Sequence, residues 1–158
     1  MKWIDNHLVS EMMARAAGSD RKRTNHNLHE TGEDLIQRYC IAATKTSYFR
    51  PHRHPNNWEV AMVLRGKFEF LVFDDDGNII ERHTVGPDTG KNGFEIEANR
   101  WHCWLPLSEE GLFFEVKPGP YDPATAAEFA SWAPEEGSTE ARIFVEQLRR
   151  HSAHEQPV

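Results

Sequence analysis

The sequence predicts an all-β core, a double-stranded β-helix or jelly-roll barrel with short N-terminal and C-terminal helices. Three observations predict it. Between residues 37 and 117 the chain breaks into about eight short segments of strand-like composition. Turn signals punctuate them, namely Arg65-Gly66, Asp74-Asp75-Asp76-Gly77-Asn78, Pro87-Asp88-Thr89-Gly90 and Ser108-Glu109-Glu110-Gly111. Helical spacing is confined to the two ends. The 158 residues then read as one domain: helix and strand at 7–29, barrel at 37–117 and a helical extension at 118–150.

Taken in order, residues 7–17 place Leu8, Met12 and Ala16 four apart, with Gly18 as the stop, which gives an amphipathic helix. The basic run Arg21-Lys22-Arg23 follows. If extended, Arg21, Arg23, Asn25, Asn27 and His29 share one face. That face is either a solvated edge strand protected by charge or an anion-binding strand at the barrel mouth. Strands are expected at 37–43, 46–54, 58–64, 67–73, 79–85, 93–97, 101–107 and 112–117. Beyond them Pro118-Gly119-Pro120-Tyr121 is a rigid crossing, and Asp122 and Pro123 start a helix over 124–130. Trp132-Ala133-Pro134 ends that helix. Ser138 caps a last one carrying Ile143, Phe144 and Leu148 on one side, and 151–158 is a frayed tail.

Composition narrows the function classes. A formal charge of −7 argues against nonspecific nucleic-acid binding. The opening stretch lacks an uninterrupted apolar segment and no run is long enough to cross a bilayer, so a soluble, cytoplasmic protein without membrane contact is expected. Cys40 and Cys103 are expected as free thiols.

The chemistry concentrates in HRHPNNWEVAMVLRG, from His52 to Gly66. Alternation turns His52 and His54 to one side of a strand, Glu59 follows on the next strand, and His102 stands in a later one. Three imidazoles and a carboxylate suit one divalent transition metal such as iron, zinc, nickel or manganese. Glu59 serves either as a fourth ligand or as a base beside the ligands. With the histidines inward, Thr46, Tyr48 and Arg50 also face the cavity. Trp104 is inward with His102, and Trp101 and Cys103 are outward. Glu59 inward leaves Val60, Met62 and Leu64 outward, an apolar face needing cover from another sheet, a terminal helix or a second subunit, so a homodimer is expected. His7, His26, His83, His151 and His154 are read as ordinary surface or core residues. Tyr48, Arg50 and Tyr121 are the candidates for acting on a substrate, Tyr121 as a proton donor. Arg21, Arg23, Asn25 and Arg50 are the candidates for binding a small polar or anionic one.

These residues resemble the cupin motifs. His52-x-His54, Glu59 and Gly66 keep the spacing of the first, with Thr46 where its leading glycine would stand. Glu97-Ala98-Asn99-Arg100-Trp101-His102 is similar to the second, Pro-x-Gly-x-x-His, with Pro106 in place of its asparagine. Asn99 can replace the glycine because asparagine tolerates left-handed backbone. Further out, Arg21-Lys22-Arg23-Thr24-Asn25, Asn27-Leu28-His29, Pro51-His52-Arg53-His54-Pro55, Phe114-Glu115-Val116-Lys117, Gly119-Pro120-Tyr121 and Trp132-Ala133-Pro134-Glu135 resemble the WbuC family of cupin fold metalloproteins. That resemblance implies a metal at His52, His54, Glu59 and His102 and an association with bacterial surface-polysaccharide gene clusters. It points to an enzyme acting on a sugar or sugar nucleotide by isomerase, epimerase or oxygenase chemistry. The alternative is a noncatalytic metal- or sugar-binding module.

Overall fold

In the computed structural model, which describes residues 1–152 and their side chains to residue 150, the strands form two five-stranded antiparallel sheets. One has the order β1 (Arg23–Asn27), β2 (Ile36–Thr44), β9 (Glu110–Pro118), β4 (Glu59–Arg65), β7 (Gly93–Ile96). The other runs β10 (Glu128–Phe129), β3 (His52–Arg53), β8 (Trp101–Pro106), β5 (Phe68–Phe73), β6 (Ile79–Val85). Helices α1 (Asn6–Gly18) and α2 (Thr139–Ser152) complete the architecture. The expected jelly-roll barrel is the observed fold. The tail expected over 151–158 lies outside the residues whose side chains are described.

Alternation along the strands fills the interior with rings. Phe68, Phe70, Trp104 and Phe113 are buried between the sheets, and Trp104 stacks on Phe113 with centroids 4.2 Å apart. Burying each such side chain contributes on the order of 2–3 kcal/mol. The outer faces are covered by the helices. Asp5 caps α1 by accepting the Leu8 N–H, and Met12, Met13 and Ala16 pack on Cys40, Ala42 and Leu112. Ser138 Oγ accepts the Ala141 N–H at the start of α2, which packs Leu148 and Phe144 with the outward side chains of the second sheet. Cys40 and Cys103 are buried free thiols on these covered faces.

Three expectations fail. Residues 46–51 form no regular strand, and pairing is confined to His52–Arg53. Ser47 turns back onto Thr44, and Pro51 has no N–H for a ladder. The inward parity assigned to Thr46, Tyr48 and Arg50 therefore does not apply. No helix forms over 124–130. Asp122 instead closes a single turn on Ala124, Thr125 and Ala126, after which the chain pairs as β10 with β3. On α2, Ile143 is 55% exposed, and Ala141 takes a buried position instead. Two expected backbone devices are present. Gly66 has φ +73° and a backbone neighbour where a Cβ would go, and Asn99 adopts φ +66°.

Helix α2 is tied down by charge as well as by packing. Arg82 donates to Glu69 at 2.5 Å and to the Leu148 carbonyl at 3.3 Å, with both charged side chains almost wholly buried. Breaking such a pair from one side leaves an uncompensated charge. Glu69→Ala is expected to destabilise the fold by roughly 3 kcal/mol and to lower the thermal midpoint by about 10 °C. The double change Glu69→Leu with Arg82→Met should recover most of that loss in the same melting experiment.

Candidate metal centre

Strand register brings the three histidines together. His52 of β3 pairs directly with His102 of β8, and His54 leaves β3 on the same side. The ring centroids are 4.5 Å apart for His52 and His102, 5.1 Å for His52 and His54, and 5.6 Å for His54 and His102. One ring nitrogen from each lies within 4.8 Å of the other two. The turn holding Asn99 locks this arrangement, because its N–H donates to the His54 carbonyl at 2.8 Å.

Each imidazole is oriented by a peptide carbonyl. Nδ1 of His52 lies 3.0 Å from the Arg50 oxygen, Nδ1 of His102 2.8 Å from that of Arg100, and Nδ1 of His54 2.5 Å from that of Ala126. A carbonyl can only accept, so Nδ1 carries the proton in all three and Nε2 of the neutral ring offers a lone pair. Burial, with His102 and His54 adding to it, holds His52 well below the ordinary histidine range; His102 is also lowered, by burial foremost. Nε2 of His54 and of His102 are buried without a hydrogen-bond partner among the described residues. Neutral rings with unpartnered lone pairs fit a transition metal.

Glu59 lies against His54, with Oε2 3.1 Å from Nε2, although it is not one of the three mutually close donors. The two atoms are close but not aligned as a hydrogen bond, and Oε1 is also unpartnered. With the proton on Nδ1, both facing atoms are acceptors, and a cation at that point, a metal ion or a proton, is needed to relieve them.

Behind Glu59 the first sheet supplies a polar pair, Glu115 and Lys117, whose face the strand parity alone leaves open. Ala61 pairs with Glu115, which pairs with Tyr39, so Glu115 faces inward beside Glu59. Lys117 places Nζ 3.6 Å from Glu59 Oε2 and 5.3 Å above the Tyr39 ring. Burial pushes the Glu59 carboxyl up, but Lys117, together with a hydrogen bond from His54 whenever Nε2 carries a proton, outweighs it and holds the group below the usual carboxylate range. Glu115 goes the other way: burial and the Glu59 charge push it up to about 8, against the lowering pull of Lys117 and the Tyr39 phenol. At neutral pH the pair carries one proton, on Glu115. The available signal was the alternation of Glu115 and Lys117 in an otherwise apolar strand, FFEVK.

The mouth is crossed by a strap, residues 122–130. It supplies the Ala126 carbonyl to His54, pairs Phe129 with His52 and Glu128 with Arg53, and holds Arg53 Nε to Glu128 at 2.8 Å. Arg50 reaches the strap, donating to the Ala130 carbonyl at 3.1 Å and lying 5.4 Å over the Phe129 ring. Tyr48 is turned away, its hydroxyl donating to the Pro134 carbonyl and its ring packed on Phe144 of α2. Tyr121 is 53% exposed, and its N–H donates to the Gly32 carbonyl. Arg21 and Arg23 both pair with Glu136, and Asn25 bonds to Asn27 on the outer strand. Among the expected substrate-binding residues only Arg50 is brought near the imidazoles.

Loosening the strap should loosen the metal. Glu128→Arg, which sets a cation against Arg53, is expected to weaken zinc or nickel binding by roughly tenfold, as for other groups that orient ligands, measured by competition with a chelator. An unchanged affinity would mean that the Ala126 contact does not matter. The acid pair makes a separate prediction in the metal-free protein. A carboxyl raised to about 8 on folding binds its proton more tightly in the native state, so stability falls as pH rises through that range. The depressed histidines act with the opposite sign, but only below their unfolded value of about 6.5. Between about pH 7 and 8 the wild type should therefore lose stability in denaturant titrations, and Glu115→Gln should not.

No curated protein sequence matches this chain. Among solved structures the chain is similar to CapF from Staphylococcus aureus, a capsular polysaccharide assembling protein, at 18% identity and a TM-score of 0.60, covering 70% of this chain and 30% of that one. It is similar to recombinant oxalate oxidase in complex with glycolate, at 13% identity and a TM-score of 0.56, covering 92% and 75%. KdgF from Halomonas sp. matches at 17% identity and a TM-score of 0.50, covering 65% and 82%. All three are cupin-fold proteins, so the barrel that carries the three histidines is a cupin barrel. In sequence, residues 4–85 match a domain of unknown function, DUF6016, and since that is more than half of the 158 residues, the chain belongs to that family.

Proposed function

We propose that the protein is a mononuclear metal enzyme acting on a small polar substrate, such as a sugar or sugar nucleotide, by isomerase, epimerase or oxygenase chemistry. The observation that carries this reading is the meeting of acceptor atoms at His54 Nε2 and Glu59 Oε2, 3.1 Å apart beside two further imidazoles. Iron, zinc, nickel and manganese all suit His52, His54 and His102, with Glu59 as the fourth ligand or as a base beside them. A metal bound there supplies Lewis acidity toward a substrate carbonyl or hydroxyl, or a place for oxygen. The chain's own residues supply the rest. Glu59 is held ionised and can take a proton, while Glu115 behind it holds one to give back. Lys117 keeps the local charge balanced, and the strap shields the centre from bulk water.

The resemblance of the outer motifs to the WbuC family supports a role in surface-polysaccharide metabolism, and the likeness to CapF, a capsular polysaccharide assembling protein, is in keeping with it. Met62 and Leu64, exposed on the outer face of β4, support a homodimer through that face. A noncatalytic metal- or sugar-binding module is the second reading. It is favoured by the inward tie of the strap to His54, which narrows access to the centre.

Metal analysis of protein purified without an affinity tag is expected to find one ion per chain, lost in His54→Ala. Equal, stoichiometric metal in both would overturn the site. In the cobalt-substituted protein, citrate or a sugar diol should shift the visible spectrum by displacing water from an open position. A closed four-coordinate spectrum that no oxygen ligand alters would replace the enzyme with the binding module.

A further inference from the structure

A cavity of about 730 Å³ lies away from the imidazoles and shares none of their residues. It is a groove along one face of α2. Its near wall follows Ser138, Arg142, Val145 and Arg149, which recur every three or four positions and so form one helical stripe. At 1.5 Å per residue this stripe is roughly 16 Å long. The far wall comes from two turns, residues 20–22 before β1 and residues 45–46 after β2, with Tyr48 beside them.

The charge of this groove runs against that of the chain. The protein has 25 acidic and 18 basic residues, yet five basic side chains line the groove against three acidic ones. Two of those acids are already engaged, as is one of the bases, since Lys45 pairs with Glu109 outside the groove at 2.9 Å. Glu136 sits between the guanidiniums of Arg21 and Arg23, and Glu146 pairs with Arg150 at 3.8 Å. Only Asp20 is left to offset Lys22 and Arg142, neither of which has a carboxylate partner among the described residues. Lys22 instead donates to the Ala17 carbonyl. Arg149 adds a further cation, held by the carbonyls of Pro106 and Lys45 at 2.9 and 2.6 Å. The rest of the lining, with Ala141, Val145 and the Tyr48 ring, is largely apolar.

We propose that this groove is a second binding site, taking a small organic anion whose carboxylate, sulfonate or phosphate meets Arg142 and Lys22 while its apolar body lies on Val145 and Tyr48. The size is that of pockets for small molecules. Guanidinium and ammonium groups without carboxylates recognise oxyanions by charge-assisted hydrogen bonds. Because none of the imidazoles takes part, binding here is independent of the metal.

The test uses the full chain and 8-anilinonaphthalene-1-sulfonate, a fluorescent aromatic anion. A single saturable site is expected, with inorganic pyrophosphate competing for it. Arg142→Glu should weaken the probe at least tenfold, Arg142→Lys much less, and Val145→Trp should fill the groove and abolish binding. Arg142 is exposed, so its variants should melt with the wild type, and that control accompanies the titration. The neutral probe N-phenyl-1-naphthylamine should show no loss in Arg142→Glu. His52→Ala should bind the anion as the wild type does. Affinity within twofold of wild type in both Arg142→Glu and Val145→Trp overturns the proposal. So does loss of the probe in His52→Ala, which would put the anion at the metal centre.

Discussion

Arg50, Arg100 and Ala126 each aim a peptide carbonyl at Nδ1 of a histidine, and the chemistry of the interior depends on those three hydrogen bonds. A carbonyl has no proton to give, so the bonds fix the tautomer as well as the ring plane. Two of the three come from the residue two positions earlier, which makes them a local product of the short pairing between β3 and β8. The third crosses seventy-two residues to the strap. The neutral rings that result present lone pairs beside a buried carboxylate, Glu59, whose charge Lys117 offsets from 3.6 Å on the other side, so a cation at the centre would meet acceptors already held in place.

The barrel was legible in the sequence because its signals are local. Turn residues and alternation locate β4 through β9 to within a few residues, and the spacing of His52, His54 and His102 survives translation into three dimensions. What was not legible depended on a local break in the ladder or on partners distant in sequence. Extending the parity of His52 back through Pro51 turns Tyr48 and Arg50 inward, but the missing N–H of Pro51 removes the ladder that parity assumes. Asp122-Pro123 is a good helix start. It makes only one turn, and residues 128–129 then pair with β3. Glu115 was visible as a charge in an apolar strand, but which face it took required the register with Ala61.

The two helices divide the outside of the barrel unequally. Helix α1 brings a compact apolar stripe to the first sheet and is capped at its start by Asp5, whereas α2 combines packing with the buried pair of Glu69 and Arg82. Neither reaches the outer side chains Met62 and Leu64 of β4. The sheet edges are managed differently. β1 at one edge is RTNHN, without a large apolar residue, and β10 at another is two residues long, so neither offers a template on which a stray strand would add.

The strap reaches His54 through a main-chain oxygen, and an oxygen of that kind belongs to every residue type. The identity of residue 126 is therefore almost free to drift over evolutionary time, while the number of residues between Tyr121 and Glu128 is not, since one added or lost would carry the carbonyl past the ring. Divergent relatives would preserve this contact as a loop length and a register with β3, and a comparison that scores only amino-acid identity would pass over it.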